Sequence, residues 1–250
     1  MSQIQLAKYN TVKYDFKEGY ATVPVLVDVY DQARFAHCAL QPGHSISPEL
    51  FSVTEHNQLF VFTKGKGYIT TPRRAWNIIE PGVFVPEFDK ETFTITCSTD
   101  SREPLEFLHI VTELNDYDKT CLVESRMTLP RFRTINEGWT YEEDFKDNSV
   151  TTSMMLLEHR NLGRLSMGCV KGVGPFEIGQ HIHNELAQWY FPLPGSEFIY
   201  TAAGEEVKMT GGDLSFTPTG FWHGSIVEEN KTCDYIWFEM CVDGYPGEIK

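Results

Sequence analysis

The 250-residue chain lacks a surplus of basic residues, with 21 lysines and arginines against 35 aspartates and glutamates. Its formal net charge is therefore −14, and no Lys/Arg cluster or basic stripe interrupts the acidic background. Nucleic-acid binding depends on such positive surfaces, because it is driven by contacts to phosphates. We therefore expect no nucleic-acid partner.

Long apolar runs are also missing. No stretch reaches the about 18 apolar residues of a membrane-spanning helix, and the opening residues MSQIQLAKYNTVKYDF contain no apolar signal region. The six cysteines form no CxxC pair and are typical of buried free thiols. These absences lead us to expect a soluble, cytoplasmic protein without membrane association or a disulfide framework.

What the chain does contain is a series of short β-type runs separated by Gly and Pro turns. Examples are LFVFTKGKGYITTP, GVFVPEFDKETFTITC, RLSMGCV and CDYIWFEMCV. Alternating apolar residues and β-branched or aromatic enrichment predict strands. Helical periodicity is absent apart from a turn or two around GWTYEEDFKD. The pattern predicts an all-β sandwich or barrel.

The chain also carries a weak internal repeat. Three residue pairs share one offset (188 − 58 = 130): Gln58 and Gln188, Gly65 and Gly195, Gly82 and Gly212. A common offset for three anchors favours internal duplication. We predict two β-domains, residues 1–125 and 151–250, joined by the polar connecting segment 126–150.

Three histidines in the second half are candidate metal ligands. His181 and His183 alternate along a predicted strand and therefore share a face, and a Pro-Gly turn precedes His223. Neutral imidazoles are common ligands for transition metals. The residues that lie 130 positions before these histidines, and so correspond to them in the repeat, are all apolar: Phe51, Val53 and Phe93. We therefore predict one metal site, in the second domain.

At this point the sequence resembles the cupin family. Residues Gly179–Gly195, GQHIHNELAQWYFPLPG, resemble the first cupin motif, G(x)5HxH(x)4E(x)6G, with Gln188 in the place of the glutamate. Residues Gly212–His223, GDLSFTPTGFWH, preserve the second motif, G(x)5PxGxxH. The resemblance implies a bicupin, with two tandem cupin jelly-roll β-barrels. It also implies one divalent transition metal (Fe, Mn, Zn or Ni) on His181, His183, His223 and Gln188.

An amide ligand would leave the charge of the metal centre at +2, which favours a small anionic substrate that binds the metal directly. The candidate general bases are Glu177, Glu185 and Tyr190, and Glu185 is also a rival metal ligand. The candidate substrate-binding residues are Arg164, Trp222 and Glu239. Each of these has an ordinary structural role as its alternative.

Three functions remain open. The first is an isomerase or lyase acting on a sugar-derived or keto acid, because the closing segment loosely resembles the uronate-isomerase branch of cupins. The second is a non-haem Fe(II) dioxygenase, and the third is a non-catalytic protein that binds a small molecule. By likeness to the family we also expect a homodimer, with the N-terminal strand pairing across a subunit or domain interface.

Overall fold

The computed structural model describes residues 4–245. Within this range the chain forms 21 β-strands and one α-helix, so the prediction of an all-β protein is confirmed. None of the helices described there is long and apolar enough to cross a membrane. The chain divides into two compact units. The N-terminal unit contains residues 12–119 and 126–137, and the C-terminal unit contains the segment up to Thr11, residues 120–125 and the chain from Gly138 onwards.

The N-terminal unit contains ten strands. They are β2 (Tyr20–Val25), β3 (Ala33–Leu40), β4 (Ser45–Ile46), β5 (His56–Lys64), β6 (Gly67–Thr70), β7 (Ala75–Ile78), β8 (Gly82–Val85), β9 (Thr94–Cys97), β10 (Leu105–Glu113) and β11 (Arg131–Thr134).

The C-terminal unit contains the other eleven strands. They are β1 (Gln5–Ala7), β12 (Trp139–Tyr141), β13 (Thr151–Leu162), β14 (Leu165–Gly172), β15 (Phe176–His181), β16 (Leu186–Pro192), β17 (Glu197–Ala202), β18 (Glu205–Thr210), β19 (Leu214–Thr217), β20 (His223–Val227) and β21 (Tyr235–Cys241).

The two units have the same strand order. In the N-terminal unit the sheets run β11-β8-β5-β10-β3-β2 and β4-β9-β6-β7, and in the C-terminal unit they run β1-β19-β16-β21-β14-β13-β12 and β15-β20-β17-β18. Each strand of one unit has a counterpart at the same place in the other, apart from the additional edge strand β12. This correspondence is what an internal duplication produces. Among residues 4–245 neither pair of sheets closes into a continuous hydrogen-bonded barrel.

Each unit buries one apolar core that draws on both of its sheets. In β17 the alternate residues Phe198, Tyr200 and Ala202 are at most 2% exposed, because successive side chains of a strand point to opposite faces. They meet Tyr190 and Tyr235 from the larger sheet. At roughly 25 cal/mol per Å² of apolar surface, the burial of such aromatic side chains is the main term holding the sheets together.

The N-terminal strand β1 belongs to the C-terminal unit, where it pairs with β19. This pairing joins two strands of one unit, and the expected homodimer stays a prediction. Asp213, which is 1% exposed, fixes the strand by accepting hydrogen bonds from Lys8 Nζ at 2.8 Å and from the backbone amide of Tyr9 at 2.9 Å. Gly212 has a φ of +86° and lies against the Tyr9 ring, so a side chain there would be strained and would clash.

Two local expectations were wrong. The segment GWTYEEDFKD forms no helix but contains the strand β12, whereas a helix, α1, spans Asp116–Glu124. Asn115 caps it: its Oδ1 accepts from the Asp118 amide, and the Asp118 carboxylate accepts from the Asn115 amide. This reciprocal pattern is a capping box, which was legible in the sequence. The segment 126–150, expected to be a connection, also contains the strand β11.

Candidate metal centre

Two neighbouring antiparallel strands bring the three histidines together. His181 ends β15, His223 begins β20, and the two are direct cross-strand partners. His183 lies two residues beyond the end of β15. The ring centroids of His181 and His223 are 4.2 Å apart. The centroid of His183 lies 5.1 Å from that of His181 and 5.5 Å from that of His223. One ligand atom from each histidine falls within 4.8 Å of the other two.

The backbone orients two of these rings. Nδ1 of His181 lies 2.8 Å from the carbonyl oxygen of Gly179, and Nδ1 of His223 lies 2.9 Å from that of Phe221. The tautomer that satisfies both bonds has N–H at Nδ1 and a lone pair at Nε2. Nε2 of His223 is buried and has no hydrogen-bond partner. Such an atom is costly unless it binds something.

The protonation of the rings is also suited to a metal. Burial lowers the pKa of His181 to about 4. Burial and the neighbouring His181 lower the pKa of His223 to about 3. At neutral pH both rings are therefore uncharged, which is the form that binds a metal. Converging neutral nitrogens and an orphaned buried lone pair fit a divalent transition metal.

Gln188 lines the same cavity as His181 and His183, and it is directly paired with Glu239 across β16 and β21. The two side chains are 5% and 7% exposed, and Nε2 of Gln188 donates to Oε2 of Glu239 over 3.4 Å. This contact leaves the amide oxygen as the atom available to a metal. The contact with Glu239 also gives a reason for a glutamine, rather than a glutamate, at position 188. A carboxylate at position 188 would face a second buried carboxylate, which costs free energy unless one of them is protonated.

The histidine cluster opens into a cavity of about 650 Å³ in the C-terminal unit. Aromatic side chains form much of its wall, including Trp139, Tyr141, Phe145, Trp237 and Tyr245. Three carboxylates line it, Glu143, Glu185 and Glu239, and none of the lining residues in the described part of the chain is a lysine or arginine. The cavity wall therefore combines aromatic surface with three carboxylate groups, and the cavity has the volume of a small-molecule site.

The structure places only some of the other candidate residues at this cavity. Glu185 is exposed and Tyr190 is buried, and both line it, as does Glu239. Burial raises the pKa of Tyr190 well above its usual value, so its phenol is a hydrogen-bond donor at neutral pH rather than a base. Glu177 is exposed on β15 and lies outside the lining.

Arg164 and Trp222 also lie outside the lining. Arg164 is 3% exposed at the turn between β13 and β14. Trp222 is 56% exposed, and its neighbour His223 is 1% exposed. Adjacent residues of an extended chain point to opposite sides, so the residue next to a buried ligand faces away from it.

Sequence reasoning missed the contribution of the segment from Trp139 to Lys146. It runs alongside β15, where the Gly179 amide donates to the Phe145 carbonyl over 2.7 Å. Phe145 stacks on His181, and the fully buried Lys146 side chain pairs with Glu143 and Ser153. The signal was present as alternation: Trp139, Tyr141, Glu143 and Phe145 all line the cavity.

The corresponding place in the N-terminal unit is apolar. Phe93 lies immediately before β9, the counterpart of β20, and is buried in the aromatic core with Phe60 and Phe84. Phe51 and Val53 are half-buried. Within residues 4–245, His181, His183 and His223 make up the cluster of His, Cys, Asp and Glu with metal-binding geometry.

Comparison with known proteins gives the fold. No family model and no curated protein matches the chain. Among solved structures, the putative glyoxylate induced protein of Pseudomonas aeruginosa matches 99% of this chain and 91% of its own, with a TM-score of 0.75 and 9% identity.

Two further solved structures have the same architecture. Oxalate decarboxylase of Lactobacillus farciminis in a formate complex has a TM-score of 0.67 at 11% identity and covers 94% of this chain and 86% of its own. A cupin 2 conserved barrel domain protein from Leptotrichia buccalis has 0.63 at 13% and covers 94% and 96%. These likenesses show that the chain has a cupin fold.

Proposed function

We propose that the chain is a bicupin, two tandem cupin jelly-roll barrels of which the second carries a metal. The matched strand orders of the two units support this, as does the apolar Phe93 at the place of His223. The N-terminal barrel, in this proposal, has exchanged its polar centre for hydrophobic packing. Three buried histidines without a ligand would cost desolvation, so their joint replacement fits the loss of a shared metal.

We further propose a metal-dependent enzyme of the isomerase or lyase type that acts on a small metabolite bearing an anionic group. The observation that carries this proposal is the cluster of three histidines, with an orphaned Nε2 on His223, at the cavity. His181, His183, His223 and the amide of Gln188 would hold the metal, which when bound supplies a Lewis acid that polarises an oxygen of the substrate.

The residues around the metal would do the remaining work. Tyr190 is positioned to donate a hydrogen bond, and Glu185 and Glu239 are the carboxylates at the cavity available to a proton. Aromatic walls would exclude water from bound substrate. Among the structural neighbours, one is by name an oxalate decarboxylase, and this favours a lyase over an isomerase by analogy of fold.

An Fe(II) dioxygenase is the second candidate. The observation that favours it is the absence of any carboxylate from the histidine cluster within residues 4–245. Dependence on Fe(II) together with substrate-dependent uptake of oxygen would distinguish it. A non-catalytic binding protein would show thermal stabilisation by a ligand without turnover.

The first test is metal content by elemental mass spectrometry, on protein purified without chelator or nickel. We expect about one metal per chain in the wild type, none in His223→Ala, and wild-type content in His44→Ala, whose ring is exposed in the N-terminal unit. Iron would direct assays to oxygenation, and zinc, manganese or nickel to isomerisation and lysis. A wild-type protein that stays metal-free after reconstitution would overturn both enzymatic proposals.

A further inference from the structure

The charge of the cavity wall limits what can bind beside the metal. Three carboxylates line it, and none of its lining residues within 4–245 is a lysine or an arginine. A substrate with two anionic groups could place one on a metal, but the second would find no lysine or arginine among the lining residues. Burying an anion without a partner is costly.

Two of the three carboxylates already have their negative charge either paired with a cation or hydrated by solvent. Glu143 is paired with Lys146, whose side chain is fully buried. Glu185 is exposed, and its charge is therefore hydrated and screened by solvent. Glu239 differs from both, because it is 7% exposed and lies on β21 deep in the unit.

The partners of Glu239 are weak for a buried carboxylate. Its Oε1 accepts from Ser166 Oγ over 3.2 Å, and its Oε2 accepts from Gln188 Nε2 over 3.4 Å. The only positively chargeable group within 4 Å that the structure describes is His159, at 3.8 Å and half-exposed. Each carboxylate oxygen can accept more than one hydrogen bond. Apart from His159, no described cationic group lies within 4 Å of Glu239, which therefore has capacity to bind a further cation.

Two independent features mark this wall as part of a ligand site. The first is the buried, unpartnered Nε2 of His223, within the histidine cluster whose other members line the same cavity. The second is the set of aromatic rings, among them Trp139, Tyr141 and Trp237, and Lys146 Nζ already lies 5.8 Å from the centroid of the Tyr141 ring. Aromatic faces attract ammonium and guanidinium groups, most strongly when water is excluded.

We propose that the substrate is a small zwitterion, with an oxygen anion directed to the histidine cluster and a cationic nitrogen directed to Glu239. For the anionic end of the substrate, the inference rests on the proposed function. For the cationic end of the substrate, it rests on Glu239 alone. It narrows the substrate class to amino-acid-like molecules and disfavours dicarboxylates.

The test uses β-alanine and succinate, which differ by the exchange of an ammonium for a carboxylate. Dissociation constants are measured on Zn²⁺-loaded protein through the fluorescence of Trp139 and Trp237, which line the cavity. We expect β-alanine to bind at least about tenfold more tightly, since a hydrogen bond between charged groups is stronger than one between neutral groups. The preference should vanish in Glu239→Gln and persist in Glu142→Gln, a neighbouring exposed glutamate outside the lining.

Equal or tighter binding of succinate, or a preference unchanged in Glu239→Gln, would overturn the inference. If Glu239→Gln lacks the near-UV circular dichroism of the wild type, the variant is not folded like the wild type. The comparison of β-alanine with succinate on wild-type protein then decides whether the inference holds. Failure to load Zn²⁺ would count against the proposed function instead. In that case n-propylammonium is titrated into metal-free protein, and binding that survives in Glu142→Gln but not in Glu239→Gln supports the cation site.

Discussion

The ring of Phe145 lies flat on the imidazole of His181, with centroids 3.8 Å apart and planes inclined by 8°. Phe145 belongs to a segment that the sequence suggested was only a connection. Its backbone is held to β15 by the hydrogen bond from Gly179. The position of a candidate ligand thus depends on a residue far outside the cupin motifs.

Replacing Phe145 by Leu should weaken metal binding. Leucine keeps apolar contact but not the flat face that fixes the imidazole plane, and loss of such a positioning partner typically costs about tenfold or more in affinity. Competition with a chromophoric chelator measures the change. The control is Phe176→Leu, at the other end of β15 and packed against the core. It should lower stability without changing metal affinity; equal losses of affinity in both variants would contradict the positioning role.

Replacing Gln188 by Glu should destabilise the metal-free protein. The new carboxylate would lie beside Glu239, and an uncompensated buried charge costs up to about 3 kcal/mol. The loss should grow with rising pH, because the pair must share a proton to remain buried. Denaturant unfolding of the chelator-treated protein measures it. The double variant Gln188→Glu with Glu239→Gln should recover most of the stability lost in Gln188→Glu. A double variant as unstable as Gln188→Glu alone would show that the two side chains do not interact.

Some of the fold and site could be predicted and some could not, for identifiable reasons. The three histidines were predictable because the motif spacing places them on neighbouring strands. Glu177 was a candidate base because it is close to His181 in sequence, but the register of β15 shifts between Ile178 and His181. A bulge adds one residue and reverses which side chains point inward, and sequence alternation alone does not reveal it. Phe145 and Lys146 are brought beside β15 by the pairing of their segment with that strand, and the alternation of the segment does not reveal this partner.

His109 should give the N-terminal unit an acid-sensitive stability. Burial, and secondarily Arg34, lower its pKa to about 4 in the folded protein, against about 6.5 when unfolded. The unfolded chain then binds more protons between these values, so stability is full above about pH 6.5 and falls towards pH 4. Its ring stacks on Phe60 at 4.5 Å.

The variant His109→Phe keeps an aromatic ring but cannot titrate. We expect the difference in melting temperature between variant and wild type to change in favour of the variant as the pH falls from 7 to 4. The experiment is done with chelator present, so that metal binding does not contribute. A difference independent of pH would mean that His109 has a similar pKa in both states.

Replacing Asp213 by Asn should destabilise the C-terminal unit. The carboxylate accepts from Lys8, from the Tyr9 amide and from the Thr210 amide and hydroxyl. An amide cannot accept all of these, and a buried donor left without its acceptor costs about 1–3 kcal/mol. The Lys8 side chain is 36% exposed, so solvent screens its share of the loss. Guanidinium denaturation measures the change, with the exposed Asp144→Asn as control. A loss below about 0.5 kcal/mol, the range of ordinary surface substitutions, would show that the anchor of β1 is dispensable.

The pairing of β1 with β19 bears on how the protein is made. During synthesis β1 leaves the ribosome before any strand of the N-terminal unit, whereas β19 follows all of them. β1 therefore stays without its partner until all strands of the N-terminal unit and most of those of the C-terminal unit have been made. Pairing over such a long sequence separation is slow, and an unpaired edge invites association with other chains. The unit that contains the three histidines thus includes a strand that must stay protected in the nascent chain until β19 has been made.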